Sequence, residues 1–278
     1  MPLPSGIPTI HAYLELIEGP LYRGLAEFSD DFLRKTRRDL RQYAHKWVAD
    51  PMQQWSRRWE YPFNVDQIAA EMSRHANERI TVLDAGSGIT FFPYYLASKG
   101  ADVRCCDIDE SLTAMFAHVN RVMGSTIPFQ AASLSKLPYD DSAFDAVCCI
   151  SVLEHCADYS AIVDEFFRVL RPNGLLVLSF DISLDDRGEI PRAEARELLD
   201  RVSEQFALLE DGAAPLERLT SHYESDLLTT KYAQKHDPAS LPWGILSDLK
   251  SLARFRIPSR PHKYLTCCAV AMRSRKRS

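Results

Sequence analysis

Val82-Leu83-Asp84-Ala85-Gly86-Ser87-Gly88 decides the fold of this chain. A short apolar run meets an acid and then two glycines one residue apart, the pattern of a buried strand turning sharply into a helix. Glycine at that bend lets the backbone turn tightly and approach a ligand with no Cβ in the way. Alone the pattern is a weak signal. Asp107, nineteen residues after Gly88, sharpens it. It closes a second apolar run, where a carboxylate can accept both hydrogen bonds from a ribose diol. Read by itself, Asp107 is equally well a turn residue.

Outward from that turn, residues 79–183 alternate short apolar or β-branched runs with helical patterns, which argues for βαβ units on a parallel sheet. Strands are expected at Ile80–Leu83, Asp102–Cys106, Ile127–Gln130, Asp145–Ile150 and Leu175–Phe180. Helices are expected over Thr90–Ser98 and Ser111–Met123, stopped by Gly100 and Gly124. Ile162, Val163, Phe166, Phe167 and Leu170 form an apolar helical stripe ended by Arg171-Pro172-Asn173-Gly174. Pro191 can open a further helix through Phe206, followed by a sixth strand at Ala207–Glu210 and a seventh at Tyr264–Ala271.

The expected class is α/β: a Rossmann-like, doubly wound, seven-stranded and mostly parallel sheet, with an N-terminal helical cap and an insertion before the last strand. The expected divisions are a cap over 1–75, a core over 76–212, an insertion or lid over 213–262, and a last strand with a basic tail over 263–278. In the cap, Phe32, Leu33, Leu40, Tyr43 and Trp47 suit an inner face, and Arg34, Lys35, Arg37, Arg38 and Arg41 a solvated one. An insertion of roughly fifty residues where a hairpin needs a few is usually functional. His222, Tyr223, Tyr232, His236 and Trp243 are its candidate pocket residues.

At 278 residues with 46% hydrophobic and 26% charged side chains, the chain is an ordinary globular protein able to bury a sizeable core. Its net charge of −5 gives no general attraction to phosphate backbones or anionic lipid, so neither nucleic acid nor membrane is expected as a partner. Seven cysteines without zinc or disulfide spacing suggest reduced thiols and a cytoplasmic protein. The N-terminus shows no leader pattern, and no apolar run approaches the ~18 residues of a membrane span.

The set of motifs resembles the class I S-adenosylmethionine (SAM) dependent methyltransferases. Val82–Thr90 is similar to their glycine-rich motif, Cys106-Asp107-Ile108-Asp109 to their second-strand acid, Phe144–Val147 through Leu153-Glu154-His155 to their fourth-strand motif, and Val169–Val177 to the approach to strand five. The resemblance covers about a hundred residues. It implies SAM as cofactor, with S-adenosylhomocysteine as its product. It implies that Asp84, Ala85, Gly86, Ser87 and Gly88 form the turn against the methionine and ribose portions. Asp107 would hold the ribose hydroxyls, with Ile108 against the adenine. Ser133-Leu134 stands where an acidic residue usually takes the adenine amino group, and Thr90 replaces a frequent third glycine; both are departures.

Ser151-Val152-Leu153-Glu154-His155 resembles a Glu-x-x-Glu-His metal motif of some related enzymes, with Ser151 in place of the first glutamate. A hard divalent cation deprived of that carboxylate loses much of its site, so no metal is expected, and Ser151 is assigned to the cofactor side. His155 is the candidate general base, against the alternative of a structural histidine. Trp55-Ser56-Arg57-Arg58-Trp59-Glu60-Tyr61-Pro62-Phe63 could wall the acceptor pocket, with an arginine on the SAM carboxylate, or simply cap the sheet edge. The expectation is methyl transfer to an O or N atom of a small molecule by a monomer or homodimer. The alternatives are a non-catalytic SAM-binding protein and a nicotinamide-dependent oxidoreductase. The last lacks support because Phe91 stands where its third glycine belongs.

Overall fold

Val82 and Leu83 are fully buried on opposite faces of the sheet, which is what a central strand covered on both sides requires. They belong to β1 (Thr81–Ala85) of a computed structural model that describes residues 2–43, 51–75, 78–186, 189–209, 217, 224–241 and 263–276. The other strands are β2 (Asp102–Asp107), β3 (Phe129–Ala131), β4 (Phe144–Ile150), β5 (Leu170–Ser183), β6 (Ile190–Pro191), β7 (Phe206–Leu208) and β8 (Leu265–Ser274). They lie in the order β3-β2-β1-β4-β5-β8-β7, with the two-residue β6 beside the end of β5. Only β8 runs antiparallel, against both β5 and β7. The expected α/β class with its seven-stranded, mostly parallel sheet is borne out, β6 being the small addition.

Helices cover both faces. Over one lie α4 (Phe92–Ser98) and α5 (Leu112–Met123), together with the N-terminal helices α1 (Ile10–Glu18), α2 (Pro20–Tyr43) and α3 (Arg57–Arg74). Over the other lie α6 (Tyr159–Val169) and α7 (Arg192–Gln205). A short α8 (Thr230–His236) precedes β8. The doubled cysteines show the same two-sidedness: Cys105, Cys148 and Cys267 face the first layer, and Cys106, Cys149 and Cys268 the second. None of the seven cysteines is joined in a disulfide among the described residues.

The α6 stripe packs as expected through Ile162, Val163 and Phe166, with Phe167 partly buried beside them and Val169 joining from outside the expected set. Leu170, read as its last member, is instead the first residue of β5. The strand begins there because Leu170 pairs with Phe144, and the register then slips before Ala146 meets Leu175, leaving Arg171–Gly174 as a bulge inside the strand rather than a separate loop. Asn173 takes φ +59° in that bulge.

Phe32 and Leu40 are buried in the cap, while Arg34, Lys35, Arg37 and Arg38 are exposed. Asp31 pairs with Arg34 and Lys35 at 3.1 and 2.7 Å. The cap is tied to the sheet by the ion pair of buried Glu71 with Arg273 and by Gly6, which bridges to Ala269 and so covers part of the β8 edge. Trp47, His222, Tyr223 and Trp243, and the side chains of Arg41 and Tyr43, lie outside the described residues. No helix among the described residues is long and apolar enough to cross a membrane.

Candidate functional site

At the carboxyl end of β1 the backbone leaves the sheet through Gly86, whose φ is +74°, and Gly88, whose φ is +52°. The amides of Gly86 and Ser87 both donate to the Cys106 carbonyl, at 2.8 and 3.0 Å, which holds the turn against the end of β2. There Asp107 accepts from the Gly88 amide at 3.0 Å and, through its other oxygen, from the Asp109 amide at 3.1 Å. Asp107 thus joins the glycine turn to the second strand, with lone pairs left for a ligand. Asp84, Ala85, Gly86, Ser87, Gly88 and Asp107 come together at the ends of β1 and β2, with Asp84 and Ala85 buried beneath the turn. Ile108 stands next to it, 77% exposed, an apolar side chain left in the open.

Asp84 is 3% exposed, and its Oδ2 has no hydrogen-bond partner among the described residues. Burial, reinforced by the Asp107 charge, pushes its carboxyl up to about 8. A carboxyl at about 8 in the fold and near 4 in the unfolded chain binds its proton more tightly when folded. Its stabilising contribution is therefore full below about pH 4 and is lost as pH rises through about 8. In urea titrations near pH 8, Asp84→Asn should be the more stable protein, and near pH 4 the two should match. Equal stability at the higher pH would show that Asp84 ionises freely in the fold.

Ser133 follows β3, exposed, its hydroxyl 2.9 Å from that of Ser135. Leu134 is buried in the second layer of core with Leu137 and Leu83. Their loop is held by Arg168 of α6, which donates to the Leu137 and Tyr139 carbonyls at 3.0 and 2.8 Å and pairs with Glu165 and Asp141.

Beyond β4 the sequence motif splits. Ser151 is buried at φ +50° and donates to Glu60 Oε1 at 2.6 Å. Glu154 turns a buried oxygen inward, whereas His155 is exposed. Glu60 comes from α3, where Arg57 pairs with its Oε2 at 2.5 Å. Asp181, just past the apolar run of β5, faces the same group. Sequence reading did not single out Asp181; the signal was an acid immediately after Leu175–Phe180, at the carboxyl end of a buried strand. Burial opposes the Arg57 charge, yet Glu60, Tyr61, Asp181 and Glu154 hold the guanidinium above its ordinary value. Burial pushes Glu154 up to about 7, with Arg57 opposing and Glu60 adding to the rise. It raises Asp181 as well. Arg58 is engaged elsewhere, with Asp237 at 2.5 Å and the Met52 carbonyl. Tyr232 and His236 stack on each other in α8 and line a small cavity with Tyr13, Trp55 and Arg58.

Tyr61, next to Glu60, joins the two halves. Its hydroxyl faces Thr90, and its ring lies 5.1 Å from Phe91 and 5.5 Å from Phe92. Burial pushes its phenol up to about 12, opposed by Arg57 and assisted by Asp84.

Residues 83–178 match a family described as a methyltransferase domain. A ubiquinone biosynthesis O-methyltransferase of Xanthomonas campestris pv. campestris is 28% identical over 221 residues, 75% of this chain and 82% of that protein. One of Psychrobacter cryohalolentis is 37% identical over 101 residues, 35% of this chain and 39% of that protein. The chain thus spans about two fifths of the length of the first curated relatives it matches. Among solved structures, the [4+2]-cyclase SpnF superposes over 98% of this chain and 99% of its own, with a TM-score of 0.52 at 19% identity. That likeness concerns the fold alone.

Proposed function

We propose that the chain is a class I SAM-dependent methyltransferase that transfers a methyl group from SAM to an O or N atom of a small molecule, without a metal. The observation that carries the reading is Asp107: its carboxylate closes the Gly86–Gly88 turn through the Gly88 amide and stands beside exposed Ile108. A turn with two positive-φ glycines, an acid for a ribose diol, an open apolar side chain for a base and the unpartnered oxygen of Asp84 fit the parts of SAM. The relatives named for ubiquinone biosynthesis O-methylation favour oxygen as the acceptor atom.

When bound, SAM supplies an electrophilic methyl group on a sulfonium whose leaving group needs no proton. The chain's own task is alignment, which can contribute about 7–11 kcal/mol. Gly86, Ser87 and Gly88 shape the cradle, Asp107 orients the ribose, and Tyr61 on α3 covers the turn from the cap side. Metal-free transfer is supported by Arg57: the guanidinium already supplies positive charge to the carboxyl groups around Ser151 and Glu154. We place the protein among small-molecule enzymes acting alone or as a homodimer, independent of nucleic acid.

Asp107→Ala tests the site. It should weaken SAM binding in calorimetry by about 10–100-fold, the loss of a charge-assisted diol contact. Unchanged affinity would mean the cofactor site is misassigned. Tight binding of NAD with none of SAM would favour an oxidoreductase, and SAM binding without turnover on any acceptor a non-catalytic role.

A further inference from the structure

Behind the cofactor turn, between α3 and the carboxyl ends of β4 and β5, the fold brings Arg57, Glu60, Glu154 and Asp181 together, Glu60 wholly buried and the other three half-buried. Glu60 is satisfied twice, by Arg57 on one oxygen and Ser151 on the other. The rest are not. Glu154 Oε2 and Asp181 Oδ1 are buried without a hydrogen-bond partner among the described residues. So are Ser179 Oγ, two residues before Asp181 on the same face of β5, and Asn64 Oδ1, one helical turn beyond Glu60. Ser179 and Asn64 are both wholly buried. Glu189 adds a further negative charge in reach but is paired with Lys263, and the Cys267 thiol of β8 completes the surroundings. One guanidinium therefore faces three carboxyl groups, and four buried polar atoms that can accept hydrogen bonds are unused among the described residues. Leaving such an atom unpaired is costly, so each one in a folded protein calls for an explanation, and a ligand that supplies the missing donors is one.

The cluster adjoins the cofactor turn. Val152, between Ser151 and Glu154, packs so closely on Gly86 that a Cβ there would meet its Cγ2 at 2.5 Å. Tyr61, beside Glu60, reaches Thr90 and faces Asp84.

We propose that Arg57, Glu60, Glu154 and Asp181 form the acceptor-binding site, and that it takes a neutral or cationic molecule presenting at least two hydrogen-bond donors, one of them the O–H or N–H that receives the methyl group. This rests on the methyltransferase reading above. Glu154 takes the acceptor's O–H or N–H proton, a lone pair of the deprotonated atom forms the new O–C or N–C bond, and the carbon–sulfur bond breaks with its electron pair left on sulfur. Held at about 7, Glu154 is part ionised at neutral pH and suits a base. Asp181 receives the second donor. Carboxylates and phosphates are refused, because each would add negative charge to a buried group already short of cations. His155, exposed beside Glu154, has no part in this step.

The test uses the full chain loaded with S-adenosylhomocysteine and four ring-matched probes: 4-hydroxybenzyl alcohol, benzylamine, benzoate and phenyl phosphate. Binding is read by ligand-observed NMR on the wild type and on Glu154→Gln/Asp181→Asn. The alcohol and the amine should bind at least about tenfold more tightly than either anion. The double variant should lose that preference while holding S-adenosylhomocysteine as before. Anions binding as well as the donors, donors binding the double variant unchanged, or no probe binding at all would overturn the proposal. Failure of the wild type to bind S-adenosylhomocysteine would instead overturn the methyltransferase reading.

Discussion

Gly86→Ala is expected to destabilise the protein by about 2–5 kcal/mol and to remove measurable SAM binding. Two effects add. At φ +74° an L-residue carries a left-handed penalty of about 1–2 kcal/mol. The new Cβ would also lie 2.5 and 2.8 Å from the two Val152 methyl carbons, and overpacking of that kind costs about 1–3 kcal/mol. Val152 cannot simply withdraw, since Ser151 beside it is bonded to Glu60 and, through its amide, to the Ser179 carbonyl. The turn itself must move, and with it the Gly88 amide that Asp107 holds. Urea unfolding and calorimetry with SAM check both parts. Adding Val152→Ala should restore the steric share of the stability and leave the backbone share. If Gly86→Ala alone were as stable as wild type, the close packing of Val152 on the turn would be refuted.

Arg57→Ala is expected to cost about 3–5 kcal/mol near neutral pH, the range for removing one partner of a buried ion pair. Glu60 is fully buried, and Arg57 is its only cationic partner among the described residues. Without it the negative charges of Glu60, Glu154 and Asp181 repel one another in a desolvated space. The carboxyls then bind protons more tightly folded than unfolded, so the variant loses stability as pH rises and recovers it toward about pH 4. Replacing both partners, Arg57→Met with Glu60→Gln, should return part of the stability at neutral pH, because it removes the stranded Glu60 charge and leaves only Glu154 and Asp181 without the guanidinium. Urea midpoints for the three proteins at two pH values decide it. A pH-independent cost in Arg57→Ala would point to lost packing of the side-chain stem rather than lost charge.

The difference between these two positions is the difference between local and long-range information. Gly86 and its neighbours were readable in the chain because a tight turn, a buried strand and a strand-end acid are made by residues close in sequence. Val82-Leu83 had to be a strand, Gly86 and Gly88 had to bend, and Asp107 had to stand at the next strand end once β1 and β2 paired in parallel. The strand series and the α6 stripe followed from the same periodicities. Where the reading slipped, at Leu170, pairing with Phe144 outweighed the helical pattern.

The buried acid cluster belongs to the other kind. Glu60 and Ser151 are 91 residues apart, and nothing near either announces the other. Glu154 and His155 are adjacent in the chain, and which of the two turns inward is set by the geometry of a single turn of 3₁₀ helix, Leu153–His155. Asp181 gains meaning only when α3 lies across β5. The sequence by itself determined the sheet and the glycine turn, because hydrophobic period and glycine conformation are local properties. Only the tertiary structure decided which charges share a desolvated space behind that turn, because burial and charge proximity exist only once distant segments have packed.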